Sequence, residues 1–267
     1  MSAIADVFRR EQGVLIAYLM GGDPTMRASM RAVGAAVRGG ADMVELGVPF
    51  SDPIADGRTI QAAGMRALSS GATPRGVLSL AKQVKIRYEV PVIIMTYLNP
   101  INAMGIGPFL DSAKGSGVDG VIVPDLPVDE AARFGHEAKD RGVDAILLAA
   151  PTTSGERMRV IARSATGFVY LVSVMGVTGA RAGLDKLVPR LVARARSAVG
   201  DGVPLAVGFG ISRPEHVRHV LASGADAAIV GSAIVERVAD NLGNVKSMER
   251  EIERYVRSMK EATRSAN

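Results

Sequence analysis

The chain has 267 residues, of which 48% are hydrophobic and 22% charged, a size and composition typical of a single α/β barrel. It contains no cysteine, which excludes disulfides and thiolate metal sites and suits a reducing compartment. The net charge of +5 arises from Lys and Arg interleaved with acids along helical stretches, and aromatic residues are few, so the sequence does not predict a nucleic-acid surface.

The first predicted element is a short amphipathic helix over residues 1–12. It lacks the apolar run and the small-residue cleavage site of a signal peptide. Apolar stretches elsewhere in the chain are far shorter than the ~20 residues needed to cross a bilayer. The sequence therefore predicts a soluble, cytoplasmic protein.

Eight short apolar segments follow, separated by helical stretches. They are rich in Val, Ile, Leu and Ala with little polar alternation, which is typical of strands buried on both faces of a parallel sheet. The predicted strands are Val14–Met20, Asp42–Val48, Pro91–Tyr97, Val118–Pro124, Val143–Ala149, Phe168–Ser173, Val203–Gly208 and Asp226–Gly231. Two helical stretches, 59–70 and 73–88, separate the second strand from the third, so we expect a doubled crossover there.

The tripeptide Gly-x-Asp leads into four of these strands, beginning at Gly40, Gly117, Gly142 and Gly224. A glycine with positive φ at a helix C-terminus, followed by a tight turn into a strand, selects this pattern. The glycine-rich fingerprint of a doubly wound dinucleotide-binding sheet is missing after the first strand. We therefore predict an α/β fold, a single (β/α)8 TIM barrel over residues 1–267 with an extra N-terminal helix and extra helical material after strand two.

In barrels of this kind the active site forms at the carboxyl ends of the strands. The reactive side chains predicted at that end are Asp23, Glu45, those of the loop 50–58, Tyr97, Asn99, Asp125, Ser173 and Thr178. Every lysine falls on a predicted helix or its flanks, which excludes a Schiff-base lysine. His136, His216 and His219 also fall in helical segments and are interpreted as surface residues, so no metal site is predicted.

Two carboxyl groups stand out beside the second strand. Glu45 interrupts the apolar stretch Met43–Val48, and burial there would raise its pKa, which suits a proton donor near neutral pH. A glutamate paired with a neighbouring cation explains the same residue equally well. Asp56 lies with Asp52 in the loop Phe50–Gly57, whose Asp-Pro and Asp-Gly pairs are also common turn formers. Turn formation is therefore the alternative for both aspartates.

Glycine-rich segments after the last two strands predict a phosphate site. Gly208–Ser212 follows strand seven, and Gly231 with Ser232 follows strand eight and opens a helix. Glycines permit close approach, and N–H groups at a helix N-terminus bind anions, an arrangement that barrels often place at these loops. Gly176–Gly179, after strand six, is a further glycine-rich loop that can close over a ligand.

Aromatic side chains are concentrated at the same end of the predicted barrel. Those on or just after a predicted strand are Tyr18, Phe50, Tyr97, Tyr170 and Phe209. Their position suggests a flat ligand. Packing in the core explains Phe50 and Tyr170 at least as well when each is taken singly.

Five segments carry a family resemblance, namely Leu19–Pro24, Glu45–Gly57, Gly176–Gly179, Gly208–Ile211 and Val230–Ala233. In this order they closely resemble the tryptophan synthase alpha subunit over nearly the whole chain, and the second segment is highly specific. The resemblance implies a lyase of tryptophan biosynthesis that cleaves indole-3-glycerol phosphate to indole and glyceraldehyde 3-phosphate by a retro-aldol reaction. It also implies no cofactor or metal in this chain, and an α2β2 assembly with a beta subunit that carries pyridoxal phosphate (PLP).

The resemblance further implies roles for individual residues. Glu45 matches the acid/base residue that protonates ring carbon C3, a step needed because an indole carbanion is a poor leaving group. Asp56 matches the residue that accepts the indole N–H and stabilises positive charge on the ring. The matches to substrate- and phosphate-binding positions are Tyr170, Thr178, Gly179, Phe209, Gly210, Gly231 and Ser232, and those to the partner interface are Asp52 and Pro53.

Two residues depart from the family pattern. Arg58 stands where proline usually follows Asp-Gly, and Val174 stands where many members carry arginine. Loss of the proline loosens the turn, which puts loop dynamics and partner coupling in question. One alternative is therefore a catalytically weak barrel that acts mainly as the allosteric partner of the beta subunit. Another is an isomerase or synthase of a different phosphosugar, which would need a further acid or metal ligand on strands three to five, where Asp125 stands alone.

Overall fold

A computed structural model describes residues 2–172, 181–200, 202–208 and 210–264, with the backbone alone for 181–186. Within these ranges eight parallel strands pair in sequence order, and the last pairs with the first to close a barrel. The strands are β1 (Val14–Met20), β2 (Met43–Gly47), β3 (Val92–Met95), β4 (Gly120–Ile122), β5 (Asp144–Ala149), β6 (Val169–Val172), β7 (Leu205–Gly208) and β8 (Ala227–Val230). The barrel predicted from the sequence is confirmed.

The helices form the outer layer around the strands. In the described part of the chain they are α1 (Ala3–Arg10), α2 (Met26–Arg38), α3 (Arg58–Ser69), α4 (Pro74–Tyr88), α5 (Leu98–Met104), α6 (Ile106–Gly115), α7 (Val128–Asp140), α8 (Gly155–Ser164), α9 (Arg181–Val199), α10 (Pro214–Ala222), α11 (Ser232–Ala239) and α12 (Val245–Arg264). The doubled crossover after β2 is confirmed as α3 and α4. No described helix is long and apolar enough to cross a membrane.

Several predicted strand ends were wrong. Tyr97 and Val123 lie beyond the ends of β3 and β4, and Val118 lies before β4, although all three are buried. An apolar stretch of sequence indicates that its residues are buried, whereas the ends of a strand are set by its ladder of hydrogen bonds. The sequence also did not separate α5 from α6, which meet at Gly105, a residue held at φ +82°.

Helix α1 closes the N-terminal end of the barrel. The hydroxyl of Ser2 accepts a hydrogen bond from the N–H of Ala5 at 3.3 Å and so caps the helix. Ile4 is fully buried and packs against Gly120, where an added Cβ would lie 2.8 Å from its Cδ1 atom. The Phe8 ring lies 5.8 Å from that of Phe168. With this end covered, the carboxyl ends of the strands form the open end of the barrel.

The Gly-x-Asp segments stabilise the covered end. Their glycines all have positive φ, as predicted: Gly40 at +102°, Gly117 at +75°, Gly142 at +66° and Gly224 at +90°. The carboxylate of Asp42 accepts the N–H of Leu15 at 2.7 Å and binds the Lys260 ammonium at 2.7 Å. The corresponding pairs join Asp119 to the Val92 N–H and Lys85, and Asp226 to the Leu205 N–H and Arg196. These aspartates therefore anchor the start of the preceding strand.

We expect Asp42→Ala to lower the free energy of unfolding by about 2 kcal/mol, because it leaves the Leu15 N–H without its acceptor and removes the shortest ion pair of the buried Lys260 ammonium, which keeps only Glu11 and the Gly13 carbonyl. Urea denaturation measures the change. Asp6→Ala, which removes an exposed ion pair with Arg9, serves as the control and should change stability by less than ~0.5 kcal/mol. Equal effects of the two substitutions would contradict an anchoring role for Asp42.

Candidate active site

Glu45 lies in the middle of β2, two residues before the strand ends at the open end of the barrel. In the sheet, Glu45 is paired with Tyr18 on β1 and with Ile93 on β3. The side chain is fully buried, and neither carboxyl oxygen has a hydrogen-bond partner among the described residues. Burial, reinforced by the nearby charge of Asp56, raises the pKa of Glu45 to about 8. Among the described residues, Glu45 therefore has no cationic partner, and the alternative of a glutamate paired with a cation is not supported.

Asp56 approaches Glu45 from the loop between β2 and α3. Burial raises the pKa of Asp56 to about 6, and a hydrogen bond from the Tyr97 hydroxyl partly opposes that rise. The side-chain amide of Gln61, on α3, donates to the backbone carbonyl of Asp56 at 2.8 Å. At neutral pH Glu45 is therefore mostly protonated and Asp56 mostly ionised. Two carboxyl groups with separated pKa values can act as an acid and an anionic acceptor in one site.

Three tyrosines surround the two carboxyl groups. Burial and the charges of Asp56 and Glu45 raise the pKa of Tyr18 and of Tyr170 well above the ordinary value, so both hydroxyls stay protonated. Burial and the charge of Asp56 likewise raise the pKa of Tyr97. The site is therefore lined by neutral phenol groups, which can donate hydrogen bonds to a ligand or to the carboxylate.

Two glycines make room for the tyrosine rings. A Cβ at Gly47, the last residue of β2, would overlap the hydroxyl of Tyr18, and a Cβ at Gly208 would overlap that of Tyr170. The Tyr18 ring also lies beside Gly231, where an added Cβ would be 3.3 Å from its Cδ1 atom. Tyr18 therefore spans the distance between the end of β8 and the end of β2. The sequence named both tyrosines but missed this pairing with strand-end glycines.

The two predicted phosphate loops follow adjacent strands, because β7 pairs with β8. Gly210 is exposed and has a φ of +75°. Gly231 is the N-cap of α11, and Ser232 is its exposed first residue. The N-terminus of an α-helix carries amide groups without intrahelical partners, which favours an anion. The structure thus brings the glycines and the helix N-terminus to the same edge of the barrel.

Tyr255 on α12 supports the first of these loops, a contact that the sequence did not reveal. Its hydroxyl donates to the carbonyl oxygen of Ser212 at 3.1 Å. The Arg237 guanidinium lies over the Tyr255 ring at 3.5 Å from the centroid, and the N–H of Ser212 donates to Nδ1 of His216 at 3.3 Å. The loop after β7 is therefore held from both α10 and α12.

Other candidates have structural roles. Asp23 is buried and forms a two-point ion pair with Arg66 at 2.8 Å. The carboxylate of Asp125 accepts the N–H of Leu98 at 2.8 Å and so holds the start of α5. Asn99 is exposed on the same helix. Arg58, the first residue of α3, forms no ion pair with Asp56 in the described part of the chain.

The histidines lie on helices, as predicted, and none of them is fully buried, although His216 and His219 are partly covered. His136 is exposed on α7, whereas Nε2 of His219 on α10 is buried and has no hydrogen-bond partner among the described residues. Within the described ranges no three His, Cys, Asp or Glu side chains cluster as metal ligands would.

The predicted site residues fall partly outside the described ranges. Those that lie outside the described residues are Ser173, Val174, Thr178, Gly179 and Phe209. The partner-interface candidates are described: Asp52 is exposed and Pro53 half-buried. The site that the structure does bring together consists of Glu45, Asp56 and the three tyrosines beside the glycine-rich loops.

A closed barrel with its reactive side chains at the open end defines a class, the (β/α)8-barrel enzymes. The family model for the tryptophan synthase alpha chain matches residues 4–264. The tryptophan synthase alpha chain of Methanoregula boonei is 46% identical over 263 residues, 98% of both chains. That of Synechococcus elongatus is 47% identical over 244 residues, 90% of this chain and 91% of its own.

Solved structures agree with the sequence comparisons. A chain in the tryptophan synthase a2b2 complex of Pyrococcus furiosus superposes with a TM-score of 0.86 at 41% identity, covering 93% of this chain and 98% of its own. A protein from Aquifex aeolicus superposes with a TM-score of 0.87 at 33% identity, covering 98% and 99%. The chain belongs to the tryptophan synthase alpha chain family, the lyases that cleave indole-3-glycerol phosphate in tryptophan biosynthesis.

The raised pKa of Glu45 predicts a pH-dependent stability difference. The folded chain holds this proton up to a pH of about 8, against an ordinary value of 4.5. The contribution of this proton to stability is therefore complete below the ordinary pKa of 4.5, and it is lost as the pH rises through the folded pKa of about 8. Glu45→Gln has no proton to lose, so its free energy of unfolding relative to wild type should increase with pH, by roughly 3 kcal/mol at neutral pH.

Urea denaturation of wild type and Glu45→Gln at about pH 5, 7 and 9 measures this difference. Glu251→Gln, a substitution at an ion pair with Arg254 on the surface of α12, is the matched control and should show no such trend. A constant difference between wild type and Glu45→Gln across the pH range would mean that the Glu45 carboxyl titrates normally.

Proposed function

We propose that this chain cleaves indole-3-glycerol phosphate to indole and glyceraldehyde 3-phosphate, with Glu45 as the acid and base and Asp56 as the acceptor of the indole N–H. The observation that carries the proposal is the carboxyl of Glu45, fully buried beside Asp56 and with a pKa of about 8. Such a group is protonated at neutral pH and close enough in pKa to give up its proton.

The chemistry requires a proton donor before the carbon–carbon bond breaks. Protonation of ring carbon C3 by the Glu45 carboxyl turns the indole into a cation, whose positive charge is centred on the ring nitrogen. The Asp56 carboxylate accepts the N–H and stabilises that cation. The Glu45 carboxylate then accepts the proton of the adjacent glycerol hydroxyl. As the bond between C3 and the glycerol carbon breaks, its electrons return to the ring, which releases indole and an aldehyde and leaves Glu45 protonated.

The remaining residues bind the substrate in this proposal. Gly179, Gly210, Gly231 and Ser232 hold the phosphate through backbone N–H groups and the α11 N-terminus. Tyr170, Thr178 and Phe209 contact the rest of the substrate. Tyr18 lies between the phosphate loops and the carboxyl pair, where the glycerol chain would pass. No step of this scheme needs a metal or an organic cofactor in this chain, which we propose acts as one cytoplasmic domain over residues 1–267.

We further propose that the chain assembles with a PLP-containing beta subunit through the loop after β2. The Pyrococcus furiosus relative belongs to an a2b2 complex described as mutually activating. Beside Asp52 and Pro53 lies Ile54, whose side chain is 83% exposed. A large apolar side chain exposed at the tip of a loop suits burial against a partner. This loop also carries Asp56, so the proposed partner interface and the proposed catalytic residue belong to one segment.

The activity test is indole release from indole-3-glycerol phosphate by the purified chain, with and without the beta subunit of the same organism. We expect wild type to turn over, faster with its partner. Glu45→Gln should lose about 10²–10⁴-fold in kcat, because general acid/base catalysis contributes about that much, while Glu251→Gln should keep wild-type activity. No indole from wild type under either condition would refute the lyase proposal and favour a barrel that serves only as an allosteric partner.

The interface proposal is tested by Ile54→Asp. A charge in place of a buried apolar side chain should weaken binding to the beta subunit by at least about tenfold, measured by calorimetric titration. Ile86→Asp is a matched control, because Ile86 is 73% exposed on α4, an outer helix away from this loop. Equal affinities of the two variants would exclude Ile54 from the interface.

A further inference from the structure

The hydroxyl of Tyr97 contacts two successive residues of the loop after β2. It accepts the N–H of Ala55 at 3.0 Å, and it lies close enough to the Asp56 carboxylate to lower the pKa of that group. Tyr97 itself lies between β3 and α5, is 4% exposed, and its ring packs against that of Phe50 at 5.3 Å between centroids. One buried side chain on the barrel therefore holds the beginning and the end of the loop.

The loop has few other ties to the barrel. Among the described residues, the other hydrogen bonds of residues 51–56 stay within the loop or run to α3. They join the N–H of Ile54 to the Asp52 carbonyl, the N–H of Asp56 to the Pro53 carbonyl, the Ser51 hydroxyl to Asp52, and Gln61 to Asp56. Helix α3 is fixed to the barrel by its ion pair between Arg66 and Asp23, so Gln61 holds the Asp56 carbonyl from the side of α3. Among the described hydrogen bonds, the one from Ala55 to Tyr97 ties residues 51–56 directly to the strand side of the barrel.

We propose that Tyr97 is a positioning residue: by accepting the Ala55 N–H, its hydroxyl holds the loop next to Asp56, keeps the Asp56 carboxylate toward the site and links it to the exposed segment 52–54. The inference rests on the proposed function, because it concerns the residue that would accept the indole N–H. A shift of segment 52–54 on docking would act on Asp56 through Ala55, whose N–H donates to the Tyr97 hydroxyl. Tyr97 is thereby the residue through which the partner surface would be coupled to the chemistry.

The Tyr97 hydroxyl also affects the charge of Asp56. Donation from a phenol stabilises the carboxylate and lowers its pKa, against the effect of burial. The groups that face Asp56 are Glu45 from β2, Tyr18 from β1 and Tyr170 from β6, and Asp125 faces Tyr97. All of these are acids or phenols. In the described part of this environment, removal of the phenol donor therefore leaves no cation to hold the Asp56 charge.

The test is Tyr97→Phe, which keeps the ring and its contact with Phe50 but removes the hydroxyl. We expect kcat/KM for indole release to fall about 10- to 100-fold at neutral pH, the loss typical of one hydrogen bond to a charged group. The acidic limb of the kcat/KM profile, which reports Asp56 in the free enzyme, should move to higher pH by about one unit. Stimulation by the beta subunit of the same organism should also decrease.

Tyr88→Phe is the matched control, because it removes a phenol from the outer helix α4 and should change neither the pH profile nor the stimulation. An active wild type with a Tyr97→Phe profile whose acidic limb has not moved would overturn the positioning role, even if activity were lower. Unchanged stimulation would overturn the link to segment 52–54. An inactive wild type would instead refute the proposed function, so the two failures are distinguishable.

A second variant covers the case in which Tyr97→Phe does not fold. Replacing Tyr97 by 3-fluorotyrosine keeps the ring and the hydroxyl but makes the phenol a stronger donor. It should lower the pKa of Asp56 further, so the acidic limb should move to lower pH, opposite to the shift expected for Tyr97→Phe. A limb at the wild-type position would overturn the proposal.

Discussion

The site depends on the burial of one carboxyl group without a cation. A carboxyl in this position resists ionisation, because the interior solvates its charge poorly. β2 lies between β1 and β3 and is hydrogen-bonded to both, so its backbone cannot turn to carry Glu45 into water. The closed barrel therefore supplies the stability that keeps this unfavourable group inside. An open sheet edge at β2 would have allowed the side chain to escape.

The two ends of the barrel treat acidic residues in opposite ways. At the covered end, Asp42, Asp119 and Asp226 each pair with a cation and with the N–H that starts a neighbouring strand. At the open end, Glu45 and Asp56 face phenols and each other. The first arrangement anchors strands, whereas the second separates two pKa values. Residue type alone does not distinguish these roles. They differ because the acids at the covered end contact cations, whereas those at the open end contact phenols.

In the proposed function the loop after β2 has two tasks, binding of the partner at its tip and positioning of Asp56. Ile54 is exposed at its tip, while Asp56 turns back into the site two residues later. Because Asp56 lies only two residues from Ile54, a contact of the partner with the tip of the loop would affect the position of Asp56. The hydroxyl of Tyr97 limits that movement from the barrel side. An exposed tip and a restrained Asp56 together would let docking influence the chemistry.

Much of this could be predicted because it is local in the sequence. The apolar runs, the Gly-x-Asp turns and the helices between them indicated eight βα units, and the glycines after strands seven and eight indicated the anion loops. Glu45 and Asp56 were identified from an acid in an apolar strand and a loop that follows it, supported by the family resemblance. These signals depend only on periodicity, turn chemistry and short spacing.

Only the tertiary structure decided what the side chains contact. Asp23 pairs with Arg66, 43 residues away, and the Tyr97 hydroxyl meets Ala55, 42 residues away. Tyr18 and Tyr170 fit over Gly47 and Gly208 because of the register between neighbouring strands. The sequence by itself determined the order and type of the elements, since those follow from local patterns. The contacts came from barrel closure and strand register, which join residues that no local pattern connects.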